Sequence, residues 1–227
     1  MVKKQETAEV FCVDPALNFL EVDAFNNLLS IGLNKVSYHL PAILGMESIY
    51  SRQEKVNLKG VIIFGSHCSV NDTLSWQNPF HLWVEDVIRK KIPVLGLCYG
   101  HQLINSILGS EVKLLKQDGE VFKGFKKVKV SHSSRLKSLT EYDGYLVASH
   151  KEEVKKITSG VKPFLHASEV LFEGIYHEKL PLWGLQSHPE ATWQFCQNQK
   201  ISYNHLNNPF SFGYMILENI FKQMRLI

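Results

Sequence analysis

The chain is short of the features that mark specialised classes. It holds 4 cysteines, Cys12, Cys68, Cys98 and Cys196, in 227 residues. They are widely spaced and form no C-x-x-C pair, which excludes a tight disulfide framework and predicts free thiols in a reducing, cytoplasmic setting. No run approaches the roughly 18 uncharged apolar residues of a membrane-spanning helix. The opening stretch, Met1 to Thr7, is followed by no apolar core of a secretion signal. Net charge is small: 25 Lys and Arg against 22 Asp and Glu leave +3, too mild for the concentrated basic face of a nucleic-acid reader. No nucleic-acid or membrane partner is therefore expected. There is no H-E-x-x-H, no pair of metal-spaced cysteines and no P-loop, so neither a metal site nor a cofactor is called for. Internal repeats, low-complexity tracts and linkers are absent as well.

What remains is a folding sequence. Apolar residues make up 44%, charged residues 21% and aromatics 11%, a composition that buries a core. The length suits one α/β domain over residues 1–227.

Val61-Ile62-Ile63-Phe64, closed by Gly65, is a short, wholly apolar, β-branched run that suits a strand buried on both faces. After a polar stretch, Phe80, Trp83, Val84, Val87 and Ile88 fall at offsets 0, 3, 4, 7 and 8, one face of an amphipathic helix. Asn78 is read as its N-cap and Pro79 as its first residue. Ile92 to Leu97 is a second buried strand. Strand, helix and strand within so few residues make a right-handed βαβ unit with parallel strands. Leu103, Ile104, Ile107 and Leu108 then mark another helix face, with Gly109 as its stop. Val10 to Asp14 reads as an earlier strand, followed by a helix around Phe19 to Ile31. In the second half, Val121 to Val130 and Tyr145 to Ala148 read as strands. Gly174 to His177 and Leu182 to Gln186 read as a hairpin, and a last helix is expected from about Phe212. Residues 193–211 read as irregular. The expected fold is a mostly parallel sheet covered by helices, with an antiparallel extension in the second half.

Cys98 stands between the second βαβ strand and the next helix, in Gly96-Leu97-Cys98-Tyr99-Gly100-His101-Gln102. G-x-C-x-G in strand–turn–helix context is the cysteine counterpart of a nucleophile elbow, whose tight turn lifts the side chain above the sheet. The following helix N-terminus favours a thiolate and offers a free amide to a developing oxyanion. The alternative is a buried core cysteine. A thiol nucleophile needs a base, and among 10 histidines His188 lies in a second informative context, Trp183-Gly184-Leu185-Gln186-Ser187-His188-Pro189-Glu190. Residues two apart in extended chain point the same way, so Glu190 can lie beside His188 and orient its imidazole. On its own an H-P-E tripeptide is also compatible with a surface turn. Cys68, next to His67, is a rival nucleophile, but no helix starts there and adjacent residues in extended chain face opposite ways.

G-L-C-Y-G-H-Q, with W-G-L-Q-S-H-P-E following so that the histidine lies 90 residues after the cysteine, resembles the class I, or triad, glutamine amidotransferases, in particular their stand-alone GMP synthase-like members. The resemblance runs from about Val10 to Thr192. It implies a flavodoxin-like fold in which Cys98 attacks the glutamine side-chain amide, releases ammonia and leaves a γ-glutamyl thioester that water hydrolyses. It makes His188 the base and then acid, Glu190 its orienting partner, and Tyr99 one backbone oxyanion donor. Gln102 would hold substrate glutamine, and Ser149 and His150 would line the glutamine pocket, although Lys151 replaces the glycine often found next. Ser66 stands where the second oxyanion donor, commonly a glycine, is expected. Its backbone amide survives that departure. The alternative for Ser149 and His150 is an ordinary satisfied loop.

Two other functions remain open at this point. A γ-glutamyl peptidase or hydrolase would use the same chemistry on γ-glutamyl conjugates, and a non-catalytic regulatory module would retain only the fold. Because 37 residues follow Glu190 and no ATP-binding motif is present, the ammonia acceptor is expected on a separate synthase subunit. Lys113, Lys116, Lys123, Lys126, Lys127 and Lys129 are read as a solvated face, with a docking patch for an acidic partner as the other option.

Overall fold

A computed structural model of the protein describes residues 7–131, 135–136, 139, 143–203 and 207–227. The expectation made for the N-terminus falls largely on residues 1–6, and part of the 193–211 segment on residues 204–206, outside the described residues. The elements run β1 (Ala8–Val13), α1 (Val22–Ser30), β2 (Val36–His39), α2 (Pro41–Leu44), α3 (Glu47–Gln53), β3 (Asn57–Ile63), α4 (Gln77–Arg89), β4 (Val94–Leu97) and α5 (Tyr99–Ile107). They continue with β5 (Glu111–Leu114), β6 (Phe122–Val130), β7 (Asp143–His150), β8 (Glu152–Lys156), β9 (Val161–His166), β10 (Gly174–His177), β11 (Leu182–Leu185), α6 (Trp193–Gln199) and α7 (Ser211–Met224).

Among the described residues, nine strands form one sheet in the order β2-β1-β3-β4-β11-β10-β9-β6-β7. The first five are mutually parallel, β3 and β4 pairing Val61 with Val94 and β4 and β11 pairing Leu95 with Trp183. That is the order of a flavodoxin-like sheet. β10, β9, β6 and β7 extend it antiparallel, and β5 and β8 form a separate pair. The expected fold class is the observed one.

Strand alternation explains how two cores arise from one sheet. Val10 and Cys12, Ile62, and Leu95 and Leu97 face one side, where α7 packs through Phe212, Ile216, Leu217, Ile220 and Phe221. Phe11 and Val13, Val61 and Ile63, and Val94 face the other, against Phe80, Trp83 and Val84 of α4 and Leu103 and Ile104 of α5. A strand sends successive side chains to opposite faces, so a doubly covered strand must be apolar throughout.

The structure corrects several boundaries. α4 begins at Gln77 with Trp76 at the N-cap, so Asn78 is helical and Pro79 lies inside the first turn. Proline is tolerated there because the first helical amides have no intrahelical acceptor. Residues 193–199, read as irregular, form α6, started by Thr192, whose hydroxyl accepts from the Phe195 amide. Lys126 does not belong to the solvated lysine face, because its side chain is fully enclosed. No helix among the described residues is long and apolar enough to cross a membrane.

Candidate active site

The site lies where parallel strands end. Asp14 follows β1, Gly65 and Ser66 follow β3, Cys98 follows β4, and His188 lies three residues beyond the end of β11. In open parallel sheets the carboxyl edge of the strands is where ligands bind.

Cys98 is the N-cap of α5 and has φ 51° and ψ −101°, a strained conformation for a residue with a side chain. Its flanking glycines make the turn possible. A Cβ on Gly96 would sit 2.3 Å from the carbonyl carbon of Gly100, and one on Gly100 would sit 2.4 Å from the Ile63 carbonyl oxygen. The G-x-C-x-G pattern is thus a packing requirement: β4, the elbow and β3 touch backbone to backbone.

His188 and Glu190 are both buried, with His188 Nδ1 donating to Glu190 Oε1 at 2.8 Å. The His188 amide donates to Val147 O at 2.7 Å, which ties the end of β11 to β7. Phe195 of α6 lies against the imidazole, ring centroids 4.5 Å apart. On the other side, a Cβ at Gly65 would come within 2.8 Å of His188 Cε1 and 3.5 Å of Cys98 Cβ. The glycine therefore marks where thiol and imidazole meet. Burial works against the charged imidazole, but the Glu190 carboxylate and the charge and hydrogen bond of Cys98 outweigh it. The His188 pKa is held well above the ordinary histidine range.

Cys98 lines two adjoining cavities. The larger, about 240 Å³, is lined by Ser66, His67, Cys68, Cys98, Gln102, Ser149, His150 and Glu152, among others. The smaller, about 30 Å³, shares Ser66, Cys98 and Ser149 and adds Glu21, Gly65, His188 and Phe195. In that recess burial, with Glu190 and Asp14 nearby and only partly offset by His188, pushes the Glu21 carboxyl up to about 8. Buried Asp14 accepts from the amides of Ala16 and Glu21 at 2.9 and 2.7 Å, and also from the Tyr38 hydroxyl, shaping the loop that borders this side.

All eight residues singled out in the sequence meet at this edge. Tyr99 holds the first helical position, where an amide has no intrahelical partner. Its side chain turns into the core, its hydroxyl bonding Gln77 and His81. The Ser66 hydroxyl donates to Pro15 O at 2.9 Å. Gln102 donates to Glu152 O at 2.9 Å and to Gln186 Oε1 at 3.2 Å. The Ser149 hydroxyl donates to Gln199 Oε1 at 3.0 Å, and both ring nitrogens of His150 are engaged by protein groups. Cys68 lines the larger cavity but is not paired with His188.

Sequence reasoning missed Gln186, whose Nε2 lies 3.8 Å from Cys98 Sγ, and also Phe195, Gln199, Glu152 and Glu21. Gln186 carried a signal, since it sits two residues before His188 on extended chain. The others come from segments without a motif.

A family model described as glutamine amidotransferase class-I matches residues 23–205. The chain belongs to the class-I glutamine amidotransferase family. Among relatives of this amidotransferase is a glutamine-hydrolyzing GMP synthase subunit of Methanocaldococcus jannaschii. It is 31% identical over 67% of this chain and 73% of that protein. The subunit of the same name from Archaeoglobus fulgidus is 36% identical over 44% of this chain and 53% of its own length, so the match spans about half of that relative. A solved structure from Thermoplasma acidophilum, titled a putative GMP synthase subunit protein, superposes with a TM-score of 0.72 at 18% identity. It covers 97% of this chain and 95% of its own and shares the fold.

Proposed function

We propose that the chain hydrolyses the side-chain amide of glutamine through a Cys98 thioester and passes the ammonia to a separate synthase subunit, with residues 1–227 acting as one amidotransferase-type domain. The observation that carries this reading is the approach of two strand ends. Cys98, in its strained elbow after β4, faces His188, which Glu190 orients after β11. A thiolate stabilised by the neighbouring imidazolium attacks the carboxamide carbon, and the backbone amides of Ser66 and Tyr99 receive the developing oxyanion. His188 gives its proton to the departing ammonia, then takes one from the water that cleaves the thioester, releasing glutamate. Gln102, Ser149 and His150 line the side that would hold the glutamyl moiety.

With the glutamyl part in the larger cavity, the leaving group would face the recess beside His188. The names of the two relatives support a GMP synthase-type acceptor for the ammonia. The test is turnover of glutamine and of γ-glutamyl peptides by wild type and Cys98→Ala. Ammonia release from glutamine, lost in Cys98→Ala, is expected. Amine release from γ-glutamyl peptides alone would replace the substrate, and unimpaired Cys98→Ala would end the catalytic reading.

A further inference from the structure

Beneath the larger cavity lies a pair of charges that the triad does not use. Lys126 Nζ and Glu173 Oε2 are 2.5 Å apart and both side chains are fully buried. Taking two charges out of water costs several kcal/mol per ion, and a well-packed apolar pair is often as stable or more so. Stability alone is thus a poor reason for the pair, and its other bonds run towards the site.

Glu173 Oε1 accepts the Ser187 amide at 2.9 Å and its carbonyl accepts the Gln186 amide at 2.8 Å, holding the two residues before His188. On the other side Lys126 Nζ lies 3.2 Å from His150 Nε2. An ammonium only donates, so Nε2 must be the unprotonated nitrogen. The ring proton is then on Nδ1, which donates to Glu152 O at 2.9 Å. That carbonyl also accepts from Gln102 Nε2, whose second hydrogen goes to Gln186 Oε1. Both amide hydrogens of Gln102 are thereby committed, and its Oε1 makes no hydrogen bond among the described residues. It is the atom of this side chain left for a ligand in the cavity.

We propose that the buried Lys126–Glu173 pair is a positioning device for substrate recognition: through His150 and the Glu152 carbonyl it fixes Gln102 with Oε1 free to accept the α-ammonium group of a glutamine or γ-glutamyl substrate. The inference rests on the amidotransferase reading above. His150 is suited to this relay because burial, then Lys126, and more weakly His188 and His101, disfavour its charged form and outweigh the Glu152 carbonyl, which brings its pKa down to about 3.

The test is the double variant Lys126→Met/Glu173→Gln, which removes both charges at similar volume and leaves an amide oxygen to accept from the Ser187 amide. The expected result is a folded protein whose KM for glutamine rises about tenfold to a hundredfold, the loss of one charge-assisted hydrogen bond. Alkylation of Cys98 by iodoacetamide, which needs no glutamyl site, should keep its wild-type rate. A wild-type KM would make the pair merely structural, and an alkylation rate that falls along with binding would mean general disorder of the site. Either overturns the proposal. Should the double variant not fold, ¹⁵N NMR of the wild-type histidine rings decides. His150 is expected to stay neutral and Nδ1-protonated from pH 8 to about 5, and an Nε2–H tautomer or titration near 6.5 overturns the relay. A wild-type chain that turns over neither substrate class refutes the amidotransferase reading, whereas an active wild type with an unchanged double variant refutes only the role of the pair.

Discussion

Replacing Glu190 with glutamine keeps the shape of the His188 pair and removes its charge. The carbonyl of the new amide can still accept from Nδ1, so packing and the ring tautomer are preserved. With Nδ1 and Oε1 2.8 Å apart and the side chains 4% and 1% exposed, the charge centres are about 4 Å apart. At an effective dielectric constant of about 20 their attraction is about 4 kcal/mol. Losing it should lower the His188 pKa and weaken the imidazolium that stabilises an attacking thiolate, so kcat/KM should fall about 10²- to 10³-fold near neutrality. The assays are an NMR titration of the His188 ring and glutaminase kinetics in parallel. The stability change has a definite sign. His188 has a folded-state pKa above its unfolded one, so the pair stabilises fully below about pH 6.5 and this contribution disappears as pH rises through the elevated folded pKa. The deficit of Glu190→Gln should therefore be widest in mildly acidic solution and shrink in alkaline solution. An unshifted His188 titration, or kcat/KM close to wild type, would refute the electrostatic reasoning.

Cys98→Ala should reduce glutamine turnover at least about 10⁴-fold while leaving the urea-unfolding midpoint near wild type, as read by steady-state kinetics beside equilibrium unfolding. Gly100→Ala forces a methyl to within 2.4 Å of the Ile63 carbonyl oxygen and 2.8 Å of Ile63 Cβ. It should cost about 1–3 kcal/mol or more and lower both activity and urea midpoint, and a variant of wild-type stability would contradict the packing. His101 and His150 are held neutral in the folded state, chiefly by burial, with pKa values of about 3. Unfolding therefore takes up their protons below about pH 6.5, and each should remove about 1.4 kcal/mol of stability per pH unit of further acidification. Urea unfolding from pH 7 to 5 measures this, and His101→Leu should flatten the slope if it folds.

How far the sequence could be read depended on whether the information was local. β3, α4, β4 and α5 were legible because buried parallel strands are continuous apolar runs and α4 keeps one apolar stripe. The start of α4 was misplaced because Asn78 and Pro79 imitate an N-terminus that actually begins at Gln77. α6 was missed because Trp193–Gln199 is short, polar and without periodicity, and it is stabilised by laying Phe195 on His188 and Gln199 on Ser149. Lys126 was grouped with solvated lysines, although its spacing to buried Val128 and Val130 put it on the inner face of β6. The alternation was there, but a lysine on an inner face has no local partner to announce it. Glu173 lies 47 residues further on.

The amino-acid sequence alone determined the parallel βαβ core, the elbow at Cys98 and the side-by-side placement of His188 and Glu190, because each follows from the geometry of a few consecutive residues. The tertiary structure decided what those pieces become together. β4 and β11 are distant in the chain but adjacent in the sheet, where Leu97 pairs with Leu185, and this pairing brings thiol and imidazole to one edge. The larger cavity, the recess at Glu21 and the Lys126–Glu173 pair likewise exist only where distant segments close on one another. Their physical reason is burial: groups with no neighbour of their own in sequence become charged partners, hydrogen-bond relays or cavity walls once the sheet and its helices exclude water around them.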